Sequence, residues 1–550
     1  MIIAELILFI SICLFTTLSL SGLGQILTNK ANKNFLDSFF YGFIVLSFII
    51  TFVHFFIKIN FYLSFFVILL GFILSLKNFN ISIKNIKKEH VIYLLIFLIL
   101  IPIYISQKYH EDFGYYHLPY IINLINEKII FGLGNVNRGF VHNSIWLNIL
   151  PFFNFKDNYN FVTLPTFLVY LGFIIFSINH VLKQKKNQIS CFYLIVANFY
   201  LILKFTRISE FGNDIPAIVF SILSIYNFLR FSEETDLNKK KNYFFNNLSF
   251  AVFAILIKFS SIPIILIAIY LFFKNYKILK NDIFKLNYIL IYCLCLIFFI
   301  QQFVYTGCFI FPSKISCFDV SWFDKNYLNT GYRLGLINKS YASARGILSE
   351  EEFLRNFNWI PYWFERTYVG ISEHLGTMII PLVLFLLFLK KETNKILFEF
   401  REIKFFIFFT IVGFLFWFTF SPVYRFGIVY FISIIFLSTF LFYKKKKYSN
   451  KIFLNLFFIF LFFNFSKNII RITNEQNIFF GIKKIENSYI ENTHHKNNSI
   501  TVFQPDMKAN MQRGNGWQGR LCWDIKFLCT KNKVIINKKN NYLVIKKLIN

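Results

Sequence analysis

LSFAVFAILIKFSSIPIILIAIYLFF, residues 248–273, is an apolar run that a single membrane crossing would explain by length alone. Lys258, Ser260, Ser261 and Pro263 interrupt it near the middle. A proline removes a backbone donor and a lysine amine is costly in hydrocarbon, so the run is expected to form two short helices that meet at a membrane face. Lysines flank it on both sides, at 239–241 and 274–285. Basic residues collect on the cytoplasmic side of membrane proteins, so both ends of the run are assigned there and its break to the outer face.

Working outward, further apolar runs occur at 2–24, 38–58, 61–76, 91–105, 160–182, 189–206, 214–231, 286–305, 371–389, 404–420, 427–443 and 452–469. Other basic clusters lie at 77–88, 183–186, 390–404 and 444–451. With the broken run counted twice this predicts an all-α polytopic integral membrane protein of about 13–14 transmembrane helices, both termini outside. The first run carries Glu5, lacks a basic region before it and is followed by no clear cleavage site, and is expected to be a retained span.

Composition agrees. The 550 residues are 56% hydrophobic, 21% aromatic and only 16% charged, too apolar for a soluble domain. Mean hydropathy is +0.54. The net charge of +30 raises nucleic acid as a partner, but the lysines flank membrane runs and form no soluble basic domain, so the expected partner is the bilayer and not nucleic acid.

The predicted organisation is a four-span region at 1–106, an external loop at 107–158, central membrane helices at 159–305, an aromatic-rich external loop at 306–370, C-terminal membrane helices at 371–470 and an external tail at 471–550. Cysteines offer an independent check. Cys13, Cys191, Cys293 and Cys295 fall in apolar runs, whereas Cys308, Cys317, Cys522 and Cys529 fall in segments assigned outside, where disulfides persist. Cys308 with Cys317 and Cys522 with Cys529 are the simplest pairs; crossed pairs remain open. The tail holds strand-like segments near 499–503 and 533–545 and is expected to be a small disulfide-pinned α/β cap.

The 107–153 stretch, QKYHEDFGYYHLPYIINLINEKIIFGLGNVNRGFVHNSIWLNILPFF, concentrates the chemistry-bearing residues. Leu118, Ile121, Ile122, Ile125 and Ile129 make a helical stripe opposite Asn123, Asn126 and Glu127, which predicts a helix lying on the membrane surface. Glu111 and Asp112 precede it. A single carboxylate suffices to deprotonate an acceptor hydroxyl when the leaving group is a phosphate, and Asp112 is the first candidate with Glu111 second. A solvated or helix-capping acid is the plain alternative.

Departing phosphate needs cations and hydrogen-bond donors. Arg138, His117, His142 and Asn143 lie in the same loop; Arg207 ends a run, Lys258 sits at the helix break, and Arg425 follows a span in SPVYRF. Each basic group alone reads as a snorkelling side chain, and their assignment to one face is what favours a site. Asp214 would pair with Arg207 or Lys258. No cofactor is expected. His117 and His142 with Asp112 could hold a divalent metal, but neither an H-x-x-x-H nor an H-x-x-E-H spacing occurs. Most aromatics of 306–370, including Trp322, Tyr327, Tyr332, Trp359, Tyr362 and Trp363, are expected to be interfacial anchors, with a few free to stack on sugars.

The acid loop, the broken ILIKFSSIP helix and the arginine turn together resemble the GT-C superfamily of membrane glycosyltransferases. YYHLPYIINLINE, GLGNVNRGFVHNSIW, SPVYRF and CWDIKFLCT also look like motifs of a largely uncharacterised family of bacterial multispanning envelope proteins. The GT-C resemblance implies an inverting transferase that moves a sugar from a polyprenyl-phosphate donor to an envelope glycan, lipid or protein at the outer face of the bacterial cytoplasmic membrane. It would carry the base role onto Asp112. Four expected spans precede the acid loop here, where the superfamily usually has one. The alternatives are a polymerase or ligase of lipid-linked oligosaccharides and, from other classes, a lipid-linked-sugar transporter or a structural envelope protein. A transporter would place charges at the midplane and repeat its halves; neither pattern is seen.

Overall fold

The first three membrane helices, Ile2–Gly24, Phe35–His54 and Phe61–Asn78, pack through small residues. A side chain added at Gly22 would strike the Gly71 carbonyl, and one at Gly24 or Gly42 would strike the facing backbone at Ser38 or Leu20. Apolar side chains gain little from contact with each other over lipid, so such close backbone approach is what holds helices together in a bilayer. The computed structural model describes residues 2–28, 35–78, 88–105, 112–154, 159–183, 188–203, 212–391, 400–443, 446–447, 449–474, 494–497, 500–503, 522, 525–526, 528–530 and 532–547.

Each predicted apolar run is helical. Among the described residues eight helices are long and apolar enough to cross a membrane, or nine if a bent pair at 259–284 counts as one span. Four more, Phe61–Lys77, Glu89–Tyr104, Ile189–Leu203 and Tyr424–Phe440, are apolar but shorter. The chain is a multi-pass membrane protein by this measure.

The 248–273 run breaks where expected, but its halves are unequal. The first helix, Leu237–Ile257, starts well upstream of the apolar run because Asp236 caps it, accepting from the N–H groups of Asn238 and Lys239 at 2.8 and 3.1 Å. A 3₁₀ segment, Phe259–Ile264, contains Pro263, and the short helix Ile265–Lys274 follows.

Two ends of the bundle are distinct. At one, the basic clusters meet: Lys241 pairs with Asp282 at 3.0 Å, Lys274 with Glu402 at 2.5 Å, Asn450 donates to the Leu182 carbonyl at 3.1 Å, and Lys390–Lys391 form a short antiparallel ladder with Lys446–Lys447. At the other, the helix ends grip the 112–154 segment. Ile129 N–H donates to His54 O, Ser144 Oγ to Ile257 O at 2.7 Å, and Gln302 Nε2 to Val141 O at 2.8 Å.

The tail also docks at this second end. Beyond the end of the helix Asn450–Asn474, its described residues are strands and connections, so the expected α/β cap is β in the part described. His494–Asn497, Ile500–Phe503 and Leu528–Cys529 form one small sheet; Val534–Lys539 and Tyr542–Lys547 form a hairpin turned at Asn540–Asn541, both with positive φ, as a two-residue turn requires. The hairpin adds to Phe131 through Phe131 N–H to Leu543 O and Ile545 N–H to Phe131 O. Both simple disulfides are present, Cys308–Cys317 and Cys522–Cys529.

The packing at this end changes the reading of two predicted surface features. The helix Leu118–Asn126 does not lie on the membrane: Leu118 to Leu124 are buried, and Asn126 donates to Lys526 O of the tail at 3.0 Å. An amphipathic stripe has the same pattern whether lipid or protein covers it. The aromatic loop ends sooner than expected, since a helix runs from Trp359 to Leu387, and Trp359 and Trp363, expected among the interfacial anchors, are buried against Trp417 and Phe418.

Candidate active site

Asp112 opens a π-helical turn, Phe113–His117, that runs into the helix Leu118–Asn126. The wider turn adds a residue relative to an α-helix and re-aims the side chains it carries. The Asp112 carboxylate makes no capping hydrogen bond to this turn, so the capping alternative does not describe it. The turn is fixed from two sides. Asn137 donates to Tyr115 O at 2.8 Å and accepts from Gly139 N–H at 2.8 Å, which brings Arg138 alongside; Cys522 N–H of the tail donates to Gly114 O at 3.0 Å. Gly139 lies against the Tyr116 ring, and any side chain there would collide with it.

Beside the turn three charged groups from three helix ends converge. Asp214 lies in the first turn of Asp214–Glu233, where the helix dipole favours a carboxylate. Its Oδ1 pairs with Lys258 at the helix break, and its Oδ2 is 3.0 Å from Arg425 Nε. The Lys258 amine also sits 3.4 Å from the Phe426 ring centroid, with the Arg425 guanidinium at 5.3 Å. The turn that carries Arg425 is clamped: Trp363 Nε1 donates to Pro422 O at 2.7 Å, Trp417 Nε1 to Val423 O at 2.8 Å, and Asn338 Nδ2 to Ser421 Oγ at 2.7 Å.

Tyr116 joins the two groups. Burial raises its pKa most, the charges of Asp112 and Asp214 raise it further, and Arg425 opposes them, so all three charged residues act on one phenol. Tyr115 is raised by burial, lowered by Arg138 and raised by Asp112. The resulting arrangement is a half-buried set of two carboxylates and two cations at one end of the bundle, with the exposed Arg138 at its edge. Chemically it offers a proton acceptor in Asp112 and a cationic seat in Lys258 and Arg425.

A family model described as a domain of unknown function (DUF8201) matches residues 3–432. The chain belongs to the DUF8201 family. No curated protein and no solved structure matches it. The DUF8201 match contains Asp112, Tyr116, Arg138, Asp214, Lys258 and Arg425, whereas the tail that holds Gly114 lies beyond it.

The DUF8201 chain places the remaining predicted residues variously. Glu111 and Arg207 lie outside the described residues. Arg138 is exposed, and His117 is buried with its ring 4.1 Å from that of Tyr116. His142 is exposed and meets the Phe311 ring edge-on at 5.9 Å. Asn143 belongs to a buried amide network instead of a phosphate seat. It donates to Gln301 Oε1 at 2.8 Å and accepts from Tyr120 OH at 3.2 Å; Asn148 bonds Gln301 and Thr51 in the same cluster. Gln301, polar inside an apolar span, was the sequence signal for that network. Among the described residues no group of three or more His, Cys, Asp or Glu is placed to hold a metal ion, and His117, His142 and Asp112 form no such group. Tyr116 and the central place of Asp214 were missed, because each depends on contacts between distant segments.

Proposed function

We propose that this chain is an inverting glycosyltransferase of GT-C type that uses a polyprenyl-phosphate-linked sugar and an envelope glycan, lipid or protein acceptor. The observation that carries this reading is the pairing of Asp214 with Lys258 and Arg425, close enough to the turn bearing Asp112 for Asp214 and Arg425 to act on Tyr116, at the bundle end opposite the basic clusters. On this proposal the basic end faces the cytoplasm of a bacterial inner membrane, the chain crosses about 13–14 times counting the four shorter helices and the halves of the broken 248–273 run, and the site faces outward.

Asp112 takes the proton of the acceptor hydroxyl as that oxygen bonds to the sugar anomeric carbon. The anomeric C–O bond to phosphate breaks at the same time, with inversion, and its electron pair leaves on the phosphate. Lys258 and Arg425 hold the departing anion by charge-assisted hydrogen bonds. Asp214 positions both cations. The residues that act are all in the chain, and no cofactor takes part.

The test is mass analysis of envelope glycans and lipid-linked sugars in a strain lacking the chain, complemented with the native protein or Asp112→Asn. The expected result is a single missing sugar restored by the native chain, with turnover by normally inserted Asp112→Asn down about 10³-fold. An unchanged profile in the deletion strain would sink the transferase reading. A changed chain length in place of one missing sugar would point to a polymerase.

A further inference from the structure

The helix Leu286–Thr306 shows one exposed apolar face: Ile289 is 43%, Tyr292 45% and Leu296 60% exposed, and the same three-four spacing continues through the half-buried Phe299 and Phe303. In a membrane-spanning helix such a face meets lipid. The stripe does not stop where the helix stops. Gly307, with φ of 83°, turns the chain, and the Cys308–Cys317 loop folds back so that the Phe309 ring stacks on Phe303 at 4.9 Å with Phe318 edge-on at 5.8 Å. Phe303 lies one turn before the helix end, so the loop bends back along the helix. It does not rise away from it.

The loop is rigid. Phe309 N–H donates to Ser316 O at 3.0 Å, Phe318 N–H to Gly307 O at 2.9 Å, and Ser316 Oγ accepts from Ile310 N–H at 3.0 Å. Yet its apolar side chains point outward: Ile315 is 98% exposed, Phe318 53% and Ile310 49%. Lys314, beside Ile315, is also exposed. A disulfide-closed hairpin with apolar residues at its tip and a lysine beside them matches the chemistry of a bilayer interface, where acyl chains take the isoleucines and headgroup phosphates the amine.

We infer that the Cys308–Cys317 loop is a membrane anchor that inserts Ile310, Ile315 and Phe318 into the same lipid leaflet that covers the end of Leu286–Thr306. Continuity with the lipid-facing stripe selects lipid over a protein partner. The inference rests on the membrane-spanning fold alone and is independent of any transferase activity.

The test uses the native full-length chain in nanodiscs of phosphatidylglycerol and phosphatidylethanolamine containing a phospholipid with a diazirine high on its acyl chain. After illumination, adducts are mapped by mass spectrometry. Expected are adducts on the peptide spanning 309–318 at a yield like that of 289–296 and about tenfold above the acidic helix Glu350–Leu354. Ile315→Asp should remove most of the loop's adducts and leave those at 289–296 intact, which separates lost insertion from misfolding. A labelled helix with an unlabelled loop would overturn the anchor. So would loop-to-loop cross-links between two copies, which would assign the patch to self-association.

Discussion

Two carboxylates in this chain each hold two cations, and they are built in different ways. Asp282, at the basic end, pairs with Lys285 at 2.5 Å, three residues along, and with Lys241 at 3.0 Å. Asp214, at the opposite end, pairs with Lys258 from the helix break and Arg425 from a turn more than a hundred residues further on. The first neutralises a helix connection with one lysine three residues along, which stays 60% exposed, and one from the helix Leu237–Ile257. The second is assembled from three segments, is flanked by Phe426 and acts on the Tyr116 phenol together with Asp112. Charge counting alone would rank the two alike. Burial does not separate them either, since Asp282 is only 5% exposed; the number of separate segments brought together, three against two, does.

Asp214→Asn should have the largest effect in this comparison. The change leaves Lys258 and Arg425 without their half-buried counter-charge, at a stability cost of about 3 kcal/mol in detergent unfolding. Turnover should fall about 10²-fold on the proposed mechanism because both cations lose their orientation. A variant that keeps both stability and product would reduce Asp214 to the status of Asp282 and remove the distinction between the ends.

What was legible follows the same division. Apolar runs gave the helices, lysine clusters identified the segments that share an end, and the short spacings of the external cysteines made the two observed disulfides the simplest pairs. Each is a property of a short stretch. The influence of Asp214 and Arg425 on Tyr116, the bond from Asn126 to the tail, and the burial of Trp359 and Trp363 all depend on which distant surface meets which. Asn143 shows the limit: its loop position suggested a ligand contact, while the partner that claims it, Gln301, lies inside a span. Asp236 is the reverse case. Its capping of Leu237–Ile257 was readable, but the polar NKKKN that follows hid the helix from a search for apolar runs.

At the basic end Lys241→Ala should cost less, about 1 kcal/mol at pH 7, because Lys285 still neutralises Asp282. Burial alone would raise the Asp282 pKa, but hydrogen bonds and charge from Lys285 and Lys241 outweigh it and hold the carboxyl below its usual range. A depressed folded pKa gives stability that is present above the unfolded value, about 4, and is lost as pH falls through the folded value. The native chain and Lys241→Ala should therefore converge in stability as the pH is lowered below about 4. A gap that persists at low pH would mean that Lys241 contributes packing instead of charge.

The smallest effect is expected from Lys285→Gln. Its amine is close to Asp282 but 60% exposed, and a solvated pair at a spacing of three residues is worth about 0.3 kcal/mol. Unfolding of Lys285→Gln should be indistinguishable from the native chain in 0.5 M salt, and product levels should be unchanged, since nothing at this end touches the acid-bearing turn. A loss of product with normal insertion would contradict the comparison most directly. It would show that the local ion pair at the basic end is coupled to the site across the bundle, and that separation into a neutralised end and a working end does not hold.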